Sequence, residues 1–216
     1  MTQEPKQFTF IDLFAGIGGF HLAFHNAGAK CVFTSEWDEF AQKTYKANFE
    51  KIEPDLFSSG NFVGDITQVD KNLIPDFDVL CAGFPCQPYS IAGLRQGLED
   101  EKGRGQVFLS ILEVLRKAKP KAFLLENVKG MLSHDGGRTI EYMLNRLALP
   151  NKNGRNPVYT VLAPHVMNSM THGGVPQNRV RVFIIGFRND VDFSSFQFPE
   201  PIVLRDSLMK KLQKTN

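Results

Sequence analysis

A chain of 216 residues, 42% hydrophobic, 22% charged and 11% aromatic, has the make-up and length of a folded domain with a real core, which excludes disordered and fibrous classes. Its net charge of +2 permits nucleic-acid binding without announcing it. Three cysteines with no CxxC pair leave an odd thiol in any disulfide scheme, the apolar runs are short and residues 1–7 are polar, so a reducing, cytoplasmic setting is expected, with neither signal peptide nor membrane span.

Short apolar runs alternate with amphipathic stretches, the pattern of βαβ units and a doubly wound, mostly parallel α/β sheet. In chain order, strands are expected at 8–13, 30–35, 61–63, 78–82, 122–125, 158–162 and 180–187, and helices at 19–26, 39–48, 106–117 and 139–147. The first strand runs into Asp12-Leu13-Phe14-Ala15-Gly16-Ile17-Gly18-Gly19-Phe20, where glycines let the backbone turn tightly and approach a ligand that a Cβ would obstruct. A plain structural turn is the alternative for this loop taken alone. Glu36 ends the second strand, where such folds place a carboxylate to accept from ribose hydroxyls, and Trp37 offers a flat face to an adenine. Asp65 follows the third strand, placed to bond an exocyclic amine while the Ile66 side chain covers the ring. The loop has neither the G-x-G-x-x-G nor the Walker spacing, so a nucleoside without phosphates, such as S-adenosylmethionine, fits better than NAD or ATP.

The strand at 78–82 ends in Gly83-Phe84-Pro85-Cys86-Gln87-Pro88-Tyr89-Ser90, which puts a thiol in a loop at the carboxyl edge of the sheet, where ligands bind in open α/β folds. Cys31 and Cys81, inside expected strands, read as small buried hydrophobes. No histidine adjoins Cys86, so activation by an imidazole has no visible partner. The strand at 122–125 is followed by Glu126-Asn127-Val128, which brings a carboxyl group to the same edge; a helix N-cap or a surface charge is the other reading of Glu126. Gln177-Asn178-Arg179-Val180-Arg181 opens the last strand, and alternation places Gln177, Arg179 and Arg181 on one face, unless the arginines are merely solvated. Two long connections, 83–105 and 131–138, read as functional loops. No metal site is assigned: His21 and His25 stand at i, i+4 without a third ligand, and His134 and His172 read as turn residues that could approach phosphates.

Together, Phe14-Ala15-Gly16-Ile17-Gly18-Gly19, Glu36-Trp37, Gly64-Asp65-Ile66-Thr67, Gly83-Phe84-Pro85-Cys86-Gln87, Glu126-Asn127-Val128 and Gln177-Asn178-Arg179-Val180-Arg181 resemble, in order and spacing, the motifs of the bacterial cytosine-C5 DNA methyltransferases of restriction-modification systems, over about residues 8–201. The resemblance implies a Rossmann-like methyltransferase fold that takes S-adenosylmethionine and releases S-adenosylhomocysteine, with Phe14, Gly16, Gly18, Gly19, Glu36, Trp37, Asp65, Ile66 and Pro85 around the cofactor. It implies that Cys86 adds to C6 of a flipped cytosine, that Glu126 holds or protonates N3 and accepts from the exocyclic amine, that Arg179 bonds O2 and that Arg181 helps fix the site. Loop 83–105 would close over duplex DNA, with Gln87, Ser90 and Gln177 as DNA contacts. Residues 1–190 are expected to form the catalytic and cofactor-binding domain and 191–216 a linker and basic tail. In this family a target-recognition domain and a closing helix follow the last strand; neither is recognised here, so a second chain carrying the recognition domain is an expected partner. A non-catalytic remnant or regulatory subunit, and a tRNA cytosine-C5 methyltransferase, are the alternatives. An NAD oxidoreductase would leave Pro-Cys-Gln with Glu-Asn-Val unexplained.

Overall fold

Phe10, Ile11 and Leu13 of the first strand are fully buried, as a parallel strand covered on both faces requires. The computed structural model describes residues 7–85, 104–150 and 156–202. Its strands are β1 (Thr9–Leu13), β2 (Lys30–Ser35), β3 (Phe62–Val63), β4 (Val79–Gly83), β5 (Ala122–Val128), β6 (Tyr159–Val161), β7 (His165–Asn168) and β8 (Val180–Arg188). Its helices are α1 (Gly19–Asn26), α2 (Glu39–Phe49), α3 (Pro54–Ser58), α4 (Arg104–Ala118), α5 (Arg138–Leu147) and the single turn α6 (Ser169–His172).

The strands form one sheet in the order β3-β2-β1-β4-β5-β8-β6, with β7 also paired to β8. From β3 to β5 the pairing is parallel, and β8 runs antiparallel to β5, β6 and β7. The expected doubly wound, mostly parallel sheet is what forms. Alternation along the strands sends side chains to two cores. Phe10, Cys31 and Cys81 meet Tyr45 and Phe49 of α2 on one face, while Ile11, Leu13, Leu80 and Leu125 meet α4 and α5 on the other. Helix α4 presents Phe108, Ile111, Leu112 and Leu115 at i, i+3, i+4 and i+7, all fully buried. Each such side chain contributes about 1.5–3 kcal/mol by leaving water.

Three expectations need correction. Strand β5 extends through Glu126, Asn127 and Val128 rather than stopping before them, because antiparallel β8 supplies partners as far as Arg181. The stretch 131–138 is no open loop: turns of 3-10 helix at Lys129–Leu132 and His134–Gly137 lead straight into α5. Strand β8 begins at Val180, so Gln177 and Arg179 precede the ladder and share no strand face with Arg181.

After β8 the chain turns back along the sheet. Phe193 stacks on Phe187 at 4.8 Å between ring centroids, Phe198 stacks on His165 at 4.0 Å, and the Ile202 N–H donates to the Thr171 carbonyl at 2.7 Å. Among the described residues no helix is long and apolar enough to cross a membrane.

Candidate active site

The carboxyl edge of the sheet carries two clusters. The first is the turn after β1, where Phe14, Gly16 and Gly18 take positive φ values of 56°, 56° and 94°. Glu36, one residue beyond β2 and 7% exposed, holds this turn: its Oε2 accepts from the Gly16 N–H at 2.7 Å and its Oε1 from the Asp38 N–H at 2.9 Å. Each carboxylate oxygen accepts about two hydrogen bonds, so one site per oxygen is left for a ligand hydroxyl. Trp37 beside it is 78% exposed, its ring free to meet a ligand.

The glycines divide by role. A Cβ on Gly16 or Gly19 would meet nothing within 4 Å, so open space lies over the turn, whereas a Cβ on Gly18 would stand 2.1 Å from Cε2 of Phe49. Gly18 is therefore demanded by the packing of α1 on α2 and by its φ, rather than by close approach of a ligand. Gly18→Ala is expected to destabilise the fold by about 2–4 kcal/mol, and Gly19→Ala, at the first residue of α1, to leave stability unchanged or slightly raised. Denaturant unfolding of both variants checks this; equal stability of the two would contradict it.

Asp65 caps a 3-10 turn at Ile66–Gln68, its carboxylate accepting from the Thr67 N–H at 2.9 Å and the Thr67 hydroxyl at 2.8 Å. Ile66 is 1% exposed and packed in the core under α4, so its side chain cannot lie over a ring as the sequence suggested.

Beneath the turn, Asp12 is fully buried with neither carboxylate oxygen hydrogen-bonded, and the His21 backbone N–H of α1 favours its charge. Burial, reinforced by Glu36, pushes this carboxyl up to about 8. His21 is also fully buried, stacked on Phe49 at 3.9 Å and bonded through Nδ1 to the Tyr45 hydroxyl at 2.5 Å; burial and nearby His25 bring it down to about 4. The His21–His25 pair that sequence spacing brought forward thus has its first member enclosed in aromatic rings.

These shifts predict an uneven pH dependence of stability. Above its ordinary value of 3.8, Asp12 is ionised in the unfolded chain but protonated in the fold up to about 8, so stability falls as pH rises through that window. His21 acts oppositely between about 4 and 6.5, where only the unfolded chain is protonated, and stability rises with pH. The two slopes largely cancel below pH 6.5, and from there to pH 8 a loss of about 1–2 kcal/mol remains. Asp12→Asn should flatten that loss in denaturant titrations at pH 6.5 and 8; an unchanged slope would assign it elsewhere.

The second cluster lies at the ends of β4 and β5, where Gly83 is in register with Glu126. A Cβ on Gly83 would stand 3.6 Å from Glu126 Oε2, so this glycine leaves room for the carboxylate. The other oxygen, Oε1, is 2.7 Å from Nε of Arg181, both side chains about one-fifth exposed (21% and 22%). Antiparallel register puts Arg181 opposite Val128, diagonal to Glu126 across the β5–β8 pair, a distance an arginine spans. Arg181, not Arg179, meets the glutamate.

Arg179 and Gln177 are exposed on the connection between α6 and β8. Asn168 at the end of β7 organises that connection: its Oδ1 accepts from the Met170 and Arg179 N–H groups, each at 3.1 Å, and its Nδ2 donates to Asn178 Oδ1 at 2.8 Å. His172 and His134 are held within their own turns, by Thr171 at 2.9 Å and by Thr139 at 2.8 Å.

Two supporting residues escaped the sequence reading. Asn168 gave no local signal. Asn127 did, as a polar residue in register with Phe123 and Leu125 on the inward face of β5; it is 2% exposed, and its Nδ2 donates to the Phe84 carbonyl at 3.0 Å. It thereby pins the chain two residues before Cys86. Pro85 ends the described segment, and Cys86, Gln87 and Ser90 lie outside the described residues. Cys31 and Cys81 are buried free thiols, pushed well up by burial.

The family model described as C-5 cytosine-specific DNA methylase matches residues 8–216. Among curated proteins the chain is similar to the type II methyltransferase M.HpaII of Haemophilus parainfluenzae, at 50% identity over 199 residues covering 91% of this chain and 51% of that protein. It is similar to the type II methyltransferase M.HhaI of Haemophilus parahaemolyticus at 46% over 205 residues, covering 93% and 56%. Among solved structures, the Dnmt2 methyltransferase of S. pombe shares its fold with a TM-score of 0.63 at 23% identity, covering 92% of this chain and 57% of that one. The chain spans about half the length of the curated relatives it matches.

Proposed function

Because the chain belongs to the C-5 cytosine-specific DNA methylase family, we propose that residues 1–190 supply the catalytic and cofactor-binding lobe for methyl transfer to C5 of a flipped cytosine in duplex DNA. The observation that carries this is the Glu126–Arg181 pair, with Glu126 in register with Gly83, which precedes Cys86 by three residues, on the sheet edge that also bears Glu36.

The residues present fit S-adenosylmethionine: open space over Gly16 and Gly19, spare acceptor sites on Glu36 for ribose hydroxyls, and the exposed ring of Trp37 for adenine. Asp65 accepts from the exocyclic amine, and we assign Phe14 and Pro85 to the same site. When bound, the cofactor supplies an electrophilic methyl group and is released as S-adenosylhomocysteine.

The protein's own part is covalent and electrostatic. The cytosine leaves the stack at a cost of a few kcal/mol. The Cys86 thiolate bonds to C6, and the electron pair of the C5–C6 double bond shifts so that C5 becomes nucleophilic. Glu126 Oε1 is held by Arg181, which leaves Oε2, beside Gly83, to deliver a proton to N3 as negative charge builds on the ring and to accept from the exocyclic amine. Arg179, on the exposed connection, bonds O2. Once C5 is methylated, its proton passes to water, the C–H electron pair re-forms the C5–C6 double bond, and Cys86 leaves as the thiolate. Gln87, Ser90 and Gln177 contact the DNA. Reading a particular sequence requires base contacts, which we assign to a further polypeptide segment corresponding to the other half of the relatives, joined to this chain or supplied in trans, with residues 191–216 leading towards it.

Transfer of labelled methyl groups to duplex DNA, with and without the C-terminal half of the Haemophilus parainfluenzae relative, tests this. Site-specific C5 methylation is expected with that half, and only weak, salt-sensitive, sequence-indifferent DNA binding without it. Cofactor binding with no DNA methylation in either mixture would favour a non-catalytic role, and transfer to tRNA instead would reassign the substrate.

A further inference from the structure

Lys71 stands on the connection between β3 and β4, in a 3-10 turn at Lys71–Leu73, yet its side chain is only 14% exposed. It folds back rather than outward. Its Nζ donates to the Ile66 carbonyl at 2.8 Å and to the Val69 carbonyl at 3.0 Å, and lies 3.5 Å from Oε2 of Glu113 on α4. An ammonium has three donors, and all three directions have acceptors. Two of them are the carbonyls of Ile66, the first residue of the turn that Asp65 opens, and of Val69, which closes it. The turn is thus held by the Asp65 carboxylate on Thr67 and by the Lys71 ammonium on the carbonyls of its first residue and its C-cap. Glu113, 57% exposed, fastens the whole to α4, the helix that follows the Cys86 loop in sequence.

We infer that Lys71 is a positioning residue for the adenine end of the cofactor site, fixing the Asp65–Ile66 backbone so that the carboxylate meets the exocyclic amine. This rests on the proposed cofactor site. Asp65 already spends acceptor capacity on Thr67, so the direction of what remains is set by the backbone of the turn, and Lys71 is the charged group bonded to that backbone. Its effect should therefore be specific to the amine end of the nucleoside and absent from the ribose end, which Glu36 governs.

The test compares S-adenosylhomocysteine with its analogue lacking the 6-amino group, by calorimetry on the whole chain. Lys71→Met, which keeps the apolar stem, should weaken S-adenosylhomocysteine binding roughly five- to tenfold while changing the analogue by less than about twofold. Lys71→Arg, which keeps donors, should restore most of the discrimination. Should Lys71→Met not fold, Lys71→Gln carries the same comparison, with an expected split of roughly two- to fourfold. Equal weakening of both nucleosides, or no change in either, overturns the inference while leaving the cofactor site standing if Glu36→Ala still weakens both. Failure of the parent chain to bind either nucleoside, or a parent that does not distinguish them, overturns both.

Discussion

Cys86→Ser is expected to abolish methyl transfer in the complemented enzyme, by roughly ten-thousandfold or more, while leaving S-adenosylhomocysteine binding within about twofold. The loss is large because a serine hydroxyl ionises far less readily than a thiol and would need a base beside it. Among the described residues, His21 is enclosed by Tyr45 and Phe49, His165 is stacked on Phe198, and His134 and His172 are engaged by Thr139 and Thr171. The other thiols cannot take over. Cys31 and Cys81 are 1% and 0% exposed, and burial holds both protonated. Cys31→Ser and Cys81→Ser should accordingly affect stability and spare turnover per folded molecule. Single-turnover assays on the three variants decide the matter, and retained turnover in Cys86→Ser would end the covalent mechanism.

Glu126→Gln is expected to lower the single-turnover rate by roughly a hundred- to a thousandfold, the range for losing one preorganised electrostatic partner of a developing charge. The glutamine fills the same space beside Gly83 but cannot form the ion pair with Arg181. If arginine acts by holding the glutamate, Arg181→Met should cause a comparable loss, and the double variant should be little worse than either single one. Additive losses would mean that Arg181 contacts the substrate independently. Both variants should bind S-adenosylhomocysteine as the parent does, since that cluster is anchored separately by Glu36 on Gly16 and Asp38.

Much of this fold could be read from local pattern. The bounds of α1 and β2 match the apolar periodicity between Gly19 and Ser35, because both elements end at residues whose type disfavours continuation. What escaped was set by partners remote in sequence. Glu126 and Asn127 lack the apolar look of a strand and belong to one because β8, more than fifty residues on, runs antiparallel beside them. The same pairing brings Arg181 to the glutamate. Strand β7 and the helix α3 were too short to register, although the proline at the start of α3 is a helix-opening signal. The glycine turn announced a ligand loop, but that Gly18 answers to Phe49 rather than to a ligand depends on how α1 and α2 cross. The burial of Asp12 and Lys71 is likewise a tertiary fact: each is a charged residue by type, and its surroundings decide whether it meets water.

The central claim is that this lobe attacks cytosine through Cys86. Duplex DNA carrying 5-fluorocytosine at the target site, incubated with S-adenosylmethionine, the chain and the C-terminal half of the Haemophilus parainfluenzae relative, should yield a denaturation-resistant complex, because fluorine at C5 removes the proton whose loss permits elimination. Peptide mass spectrometry should place the crosslink on Cys86, and omission of the C-terminal half should abolish it. A complemented mixture that methylates ordinary cytosine yet gives no adduct, or an adduct mapping to another residue, would contradict the mechanism.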